Sequence, residues 1–151
     1  MHKVLRRFVP LMFVAALSAG IAACGGGSSN PVTPVVDTSG SSAISALKIT
    51  DTVAGTGVTV TTNQTVTVNY TGWLYDVKAS DLHGTRFDGG TFTFVIGGNV
   101  IAGWNQGIPG MKVGGKRTLL IPASLAYGAQ GNRSIPANAA LVFDVELVSA
   151  Q

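Results

Sequence analysis

The sequence predicts an α+β domain in which an antiparallel sheet of five or six strands curls around one short helix. Several stretches alternate strictly between apolar and polar residues, the mark of strands with one buried and one solvated face. Glycine, 20 residues in all, separates these stretches in pairs such as Gly97-Gly98 and Gly114-Gly115 that read as turns. A buried sheet face needs a cover, and Val100 to Trp104, with its continuation to Met111, is the single stretch suited to a helix. Gly107 and Pro109 stop that helix within about two turns, too short to stand alone in water, so the sheet must hold it. Trp104 brings about 150 to 250 Å² of surface that must be buried. It is therefore either the plug of the core or the floor of a pocket.

Residues 1–24 stand apart from the fold. Lys3, Arg6 and Arg7 precede an apolar run from Phe8 to Gly20 that falls short of the ~20 residues of a membrane span. The run ends in Ile21-Ala22-Ala23-Cys24, which resembles the lipobox of bacterial lipoproteins, where cleavage before the cysteine is coupled to its lipidation. The expectation is a lipid anchor at Cys24 and a location in the bacterial cell envelope, facing the periplasm or the exterior. The alternative is an ordinary signal peptide that leaves a spare thiol. Residues 25–42 are rich in Gly, Ser, Thr and Pro and read as a flexible linker spanning roughly 20 to 25 Å.

Residues 43–151 form one domain, near the usual size for a single core. Thr65 to Tyr70 and Phe92 to Ile96 alternate strictly, and in the last strand Leu141, Phe143, Val145 and Leu147 share one face while Asp144 and Glu146 take the other. Leu47 to Thr50, Val58 to Thr61 and Lys116 to Ile121 are shorter candidates. The polar, aperiodic run between Trp73 and Phe87 reads as a long loop, with His83 as a solvated residue in it.

Several functions are disfavoured by composition. Removing the three basic residues of the leader from the ten Lys and Arg balances the seven Asp and Glu, so no basic surface argues for nucleic acid. With Cys24 committed to a lipid, no thiol remains for a disulfide or a cluster, and His83 alone does not make a metal site. Gly110 to Arg117 imitates a phosphate-cradling loop, but Arg117 stands where Ser or Thr would hold Mg²⁺. A strand ended by Pro122 follows instead of a helix. No metal and no cofactor are expected.

Tyr70, Phe87, Phe92, Trp104, Tyr127 and Phe143 come from different elements, several beside glycine or at strand ends, and read either as core or as the lining of a shared cavity. Val68-Asn69-Tyr70-Thr71-Gly72, Phe87-Asp88, Phe92-Thr93-Phe94, Val100 to Arg117, Leu125-Ala126-Tyr127-Gly128, Ile135-Pro136 and Leu141 to Leu147 together resemble the FKBP-type peptidyl-prolyl isomerases. The motifs occur in the family's order over about Thr65 to Val148. The resemblance implies the same short-helix sheet and an enzyme that accelerates rotation of X–Pro bonds in polypeptides, with macrolide inhibitors as further ligands. By the same resemblance Tyr70, Phe92, Trp104 and Phe143 line the pocket with Trp104 as floor, and Val100 and Ile101 form a rim. It also implies that the Ile101 N–H and Tyr127 hydroxyl meet substrate carbonyls, Phe87 and Asp88 make a wall, and Ile135 sits in an overhanging flap. Asp88 would either polarise the twisted amide or brace the wall by pairing with Tyr70 or Arg86. The rival from another class is a chaperone or binding module that holds apolar, proline-containing segments with little catalysis. The chain departs from the family pattern on both sides of Phe87-Asp88: it is longer from Gly72 to Phe87, and shorter from Asp88 to Phe92, where Gly89-Gly90-Thr91 replaces a bulged excursion.

Overall fold

The computed structural model describes residues 39–151. The proposed signal segment, Cys24 and most of the expected linker lie outside these residues. Strands β1 (Lys48–Val53), β2 (Thr65–Tyr75), β3 (His83–Val95), β4 (Lys116–Ile121) and β5 (Leu141–Ala150) pair antiparallel in the order β1-β4-β5-β2-β3. One helix, α1 (Ala102–Gly107), covers the inner face. This is the architecture expected from alternation.

Alternation also decides what each face carries. Val66 and Val68 of β2, Phe94 of β3, Leu119 and Ile121 of β4, and Leu141, Phe143, Val145 and Leu147 of β5 bury together with Trp104, Ile108 and Met111. The opposite face holds paired polar side chains: Thr67 with Thr93 at 2.8 Å, Thr91 donating to Asn69 at 2.7 Å, and Thr118 donating to Asp144 at 2.6 Å. That face is not wholly solvated, because Tyr75, Leu120, Ala140 and Val142 form a second apolar cluster there, packed by Ile44 and Leu82.

Three expectations change. The Trp73 to Phe87 loop shrinks to Asp76–Leu82, because β2 continues to Tyr75 and β3 begins at His83. Register shifts at Gly72/Trp73 and Trp73/Tyr75 break the two-residue period there, which is why the sequence looks aperiodic. His83 is accordingly a half-buried strand residue: its ring meets Trp73 edge-on at 4.3 Å, with Nδ1 3.1 Å from Asp81 Oδ2 and Nε2 3.4 Å from Asp144 Oδ2. Both approaches are within ion-pairing range but lack hydrogen-bond alignment. Val58 to Thr61 contributes a single bridge, Thr59 to Lys112, with Val60 buried and bonded to Met111. At the other boundary, Ser41 is buried, and Ser39 accepts a backbone bond from Val77, so the last linker residues pack on the domain.

The docking of α1 follows from β4. Its inward residues, Arg117, Leu119 and Ile121, run beneath the helix. Gly103 and Gly107, four residues apart and so on one helix face, lie directly on Ile121 and Leu119. A Cβ on Gly107 would come within 2.7 Å of Leu119 Cδ2, so a larger residue would have to displace that side chain or the helix. At the helix C-terminus the buried Arg117 guanidinium donates from Nη1 to the carbonyls of Gly107 (2.7 Å) and Pro109 (3.2 Å), where a cation also suits the helix dipole. Its Nε and Nη2 donate to the two carboxylate oxygens of Asp51 on β1, at 2.6 and 3.0 Å.

Candidate active site

With α1 pressed onto β4, Trp104 turns toward the neighbouring strands and closes the bottom of a cavity of about 510 Å³. That volume is typical of small-molecule and peptide sites. Tyr70 comes from β2, Phe87, Asp88 and Phe92 from β3, and Phe143 from β5. Asn99, Val100 and Ile101 precede the helix, and Tyr127 follows a 3₁₀ turn, Ala123–Leu125. Around the indole the rings pack edge to face or tilted: Tyr70 at 5.1 Å and 77°, Phe143 at 5.4 Å and 80°, Phe94 at 5.4 Å and 42°, Phe92 at 6.3 Å and 63°. Such arrangements match positive ring edges to negative faces. Phe87 meets Phe143 at 5.6 Å and 90° across Gly72, whose missing side chain leaves room for both rings.

The polar groups are few and differ in what they are free to do. The Tyr70 hydroxyl donates to Asp88 Oδ2 at 2.8 Å, and burial together with that carboxylate pushes the phenol up to about 12, so it remains a donor. Asp88 Oδ1 accepts from the backbone N–H of Gly89 at 2.8 Å. Both carboxylate oxygens are thus engaged, Oδ2 in holding the Phe87-Asp88 wall to Tyr70 and Oδ1 on the next backbone N–H, and Arg86 makes no pair with Asp88. By contrast, among the described residues the Tyr127 hydroxyl and the Ile101 N–H have no hydrogen-bond partner, which leaves two donors at the mouth of an aromatic cavity. The Trp104 indole N–H is buried without a partner.

Nine of the ten residues expected at the site line the cavity: Tyr70, Phe87, Asp88, Phe92, Val100, Ile101, Trp104, Tyr127 and Phe143. Ile135 does not. A tight turn closed by Asn132 N–H to Ile135 carbonyl (2.8 Å) and Ile135 N–H to Asn132 carbonyl (2.9 Å) accompanies an inward Ile135 side chain, which is buried in the core, while Arg133 and Ser134 occupy the exposed tip. Two contributors carried no sequence signal. Asn99 lines the rim, and Asn105 fastens that rim to α1 by accepting from Gly97 N–H (2.8 Å) and donating to the Gly98 carbonyl (3.1 Å). Asn105 sits one residue past Trp104, where a polar side chain reads as an exposed helix position.

Comparison with known proteins agrees with this geometry. Residues 57–148 match the model of the FKBP-type peptidyl-prolyl cis-trans isomerase domain. The chain belongs to the FKBP-type peptidyl-prolyl isomerases. It is 42% identical over 110 residues to an FK506-binding protein of Neisseria meningitidis, covering 68% of this chain and 94% of that one. It is 43% identical over 106 residues to FK506-binding protein 4 of Gibberella zeae, covering 70% of this chain but only 21% of that longer protein. Among solved structures, FkpA from Escherichia coli superposes with a TM-score of 0.61 at 39% identity over 70% of this chain and 48% of that one. The FKBP-like fold therefore belongs to this chain, and Phe87 and Asp88 both lie on the cavity wall.

Proposed function

We propose that the chain accelerates cis–trans rotation of X–Pro bonds in polypeptides outside the cytoplasm, held at a membrane by a lipid on Cys24. The observation that carries the reading is the aromatic cavity with two unengaged donors, Tyr127 O–H and Ile101 N–H, at its mouth. Rotation must break amide resonance against a barrier of about 18 to 20 kcal/mol, which takes tens to hundreds of seconds unaided. The planar amide is more polar than the twisted one, so transfer into an apolar enclosure raises the ground state relative to the transition state. The two donors hold the flanking carbonyls and fix the position of the rotating bond. Lowering about 100 s to about 10 ms is a factor of ~10⁴ and requires about 5.5 kcal/mol, which desolvation and positioning can supply without a nucleophile. Asp88, with both oxygens committed, acts by bracing the wall. The same enclosure suits a macrolide of the kind after which the relatives are named.

A protease-coupled isomerisation assay on the full chain tests the catalytic part. Wild type is expected to exceed the buffer rate strongly, Tyr127→Phe to lose about tenfold in kcat/KM, and Trp104→Leu more. Wild-type activity equal to buffer, with peptide still bound, would leave only a holding module. Labelling with radioactive palmitate tests the anchor, since incorporation that persists in Cys24→Ala would remove it.

A further inference from the structure

The segment between Asp88 and Phe92 continues straight into the rest of β3. β3 is an edge strand, and from Val95 to Asp88 it pairs residue for residue with β2, without a bulge. Thr65, which faces Val95, exchanges both of its backbone bonds with Gln151 on the opposite side, so Thr65 and Val95 form a pair with no backbone bonds between them. Because the register is unbroken, Thr67/Thr93, Asn69/Thr91 and Thr71/Gly89 are pairs of the same kind. The short side-chain bonds of the first two, 2.8 and 2.7 Å, fit the closer approach of such pairs. The backbone groups of Gly89, Thr91, Thr93 and Val95 therefore point away from the sheet.

Gly89 N–H is taken by Asp88 and the Val95 carbonyl by Gly98, which leaves both groups of Thr91 and Thr93, the Gly89 carbonyl and the Val95 N–H. Natural edges are usually blunted by Lys, Pro or a bulge, and this one, about 20 Å long, carries none of them between Gly89 and Val95.

Taking the cavity as the X–Pro site, we propose that this edge receives the extended segment of a client polypeptide next to the bound proline, as a sixth strand. The edge is continuous with the cavity, since β3 itself supplies Phe87, Asp88 and Phe92. Gly90 lies between Asp88 and Phe92 on the cavity side, and a Cβ placed there meets nothing within 4 Å. An incoming side chain has that space, as expected where another backbone approaches a strand glycine. The proline ring holds the residue before it in an extended conformation, so the segment preceding the bound proline approaches with strand geometry. Main-chain bonding of this kind gives affinity without demanding a sequence, which suits a catalyst acting on many polypeptides.

The test compares kcat/KM of the full chain on a four-residue X–Pro peptide and on the same peptide extended by six residues rich in Thr and Val, on either side. One extended peptide is expected to be preferred about three- to tenfold, the net value of one or two hydrogen bonds. Thr93→Pro removes an outward N–H and places a ring on the edge while sparing the backbone bonds to β2, at the loss of the exposed Thr67–Thr93 side-chain bond, so it abolishes the preference and leaves the short peptide within about twofold. Backbone N-methylation of the extension does the same with the protein intact. Equal kcat/KM for long and short peptides in wild type would overturn the proposal, as would a preference that survives N-methylation. A dimer of the chain that Thr93→Pro dissociates would assign the edge to a second copy instead. Absence of catalysis on the short peptide would mark failure of the isomerase reading itself, separately from the edge.

Discussion

Replacing Arg117 with methionine tests how the floor of the cavity is held. The side chain is buried and divides its hydrogen bonds between two helix-end carbonyls and Asp51. Asp51 is 57% exposed, so after the substitution its carboxylate returns to water and that loss is about 1 kcal/mol or less. At the helix C-terminus the buried Gly107 carbonyl is left without a donor, at about 1 to 3 kcal/mol, and the part-buried Pro109 carbonyl loses about 1 kcal/mol. The expected destabilisation is therefore about 2 to 5 kcal/mol, against about 1 kcal/mol or less for Asp51→Asn, which keeps an acceptor for the guanidinium. Urea unfolding of both variants measures the difference directly, and a domain with an ordinary stability of about 5 to 15 kcal/mol survives either change. Because α1 carries Trp104, Arg117→Met is also expected to shift the indole emission and to lower kcat/KM. Equal costs for the two variants would refute the carbonyl account and make the exposed ion pair the important contact.

Gly107→Ala forces a Cβ against Leu119 and is expected to cost about 1 to 3 kcal/mol, part of which Leu119→Ala in the same chain recovers; additive losses in urea unfolding would contradict the close contact. Tyr70 has a phenol raised to about 12, so its contribution is fully present below about pH 10 and is lost as pH rises toward 12. Tyr70→Phe should remove that part of the alkaline decline, seen as a difference between the two stability profiles. Asp51 has a carboxyl lowered chiefly by its hydrogen bond to Arg117, so its stabilisation is present above about pH 4 and disappears as pH falls further. Asp51→Asn should flatten that part of the acid profile, and an unchanged profile would count against the pair.

The sheet was legible because its strands have one buried face, as in Leu141, Phe143, Val145 and Leu147. It was illegible where geometry breaks the period: the register shifts beside Trp73 hid the joined ends of β2 and β3 in what looked like a loop. The cavity was legible through aromatic residues in motifs of known order. Ile135 failed because sequence position does not say which way a side chain leaves a tight turn, and here it enters the core. Asn105 and Arg117 act through backbone groups brought together only by folding, which no spacing in the chain displays.

The most direct test of the central claim is two-dimensional NMR exchange spectroscopy on an X–Pro peptide with a catalytic amount of the full chain. Catalysis in the aromatic cavity predicts cis–trans cross-peaks within a mixing time of tens of milliseconds, diminished by Tyr127→Phe and lost in Trp104→Leu. Cross-peaks of equal intensity in wild type and Trp104→Leu would place the rotation elsewhere, and their absence in wild type would contradict the account outright.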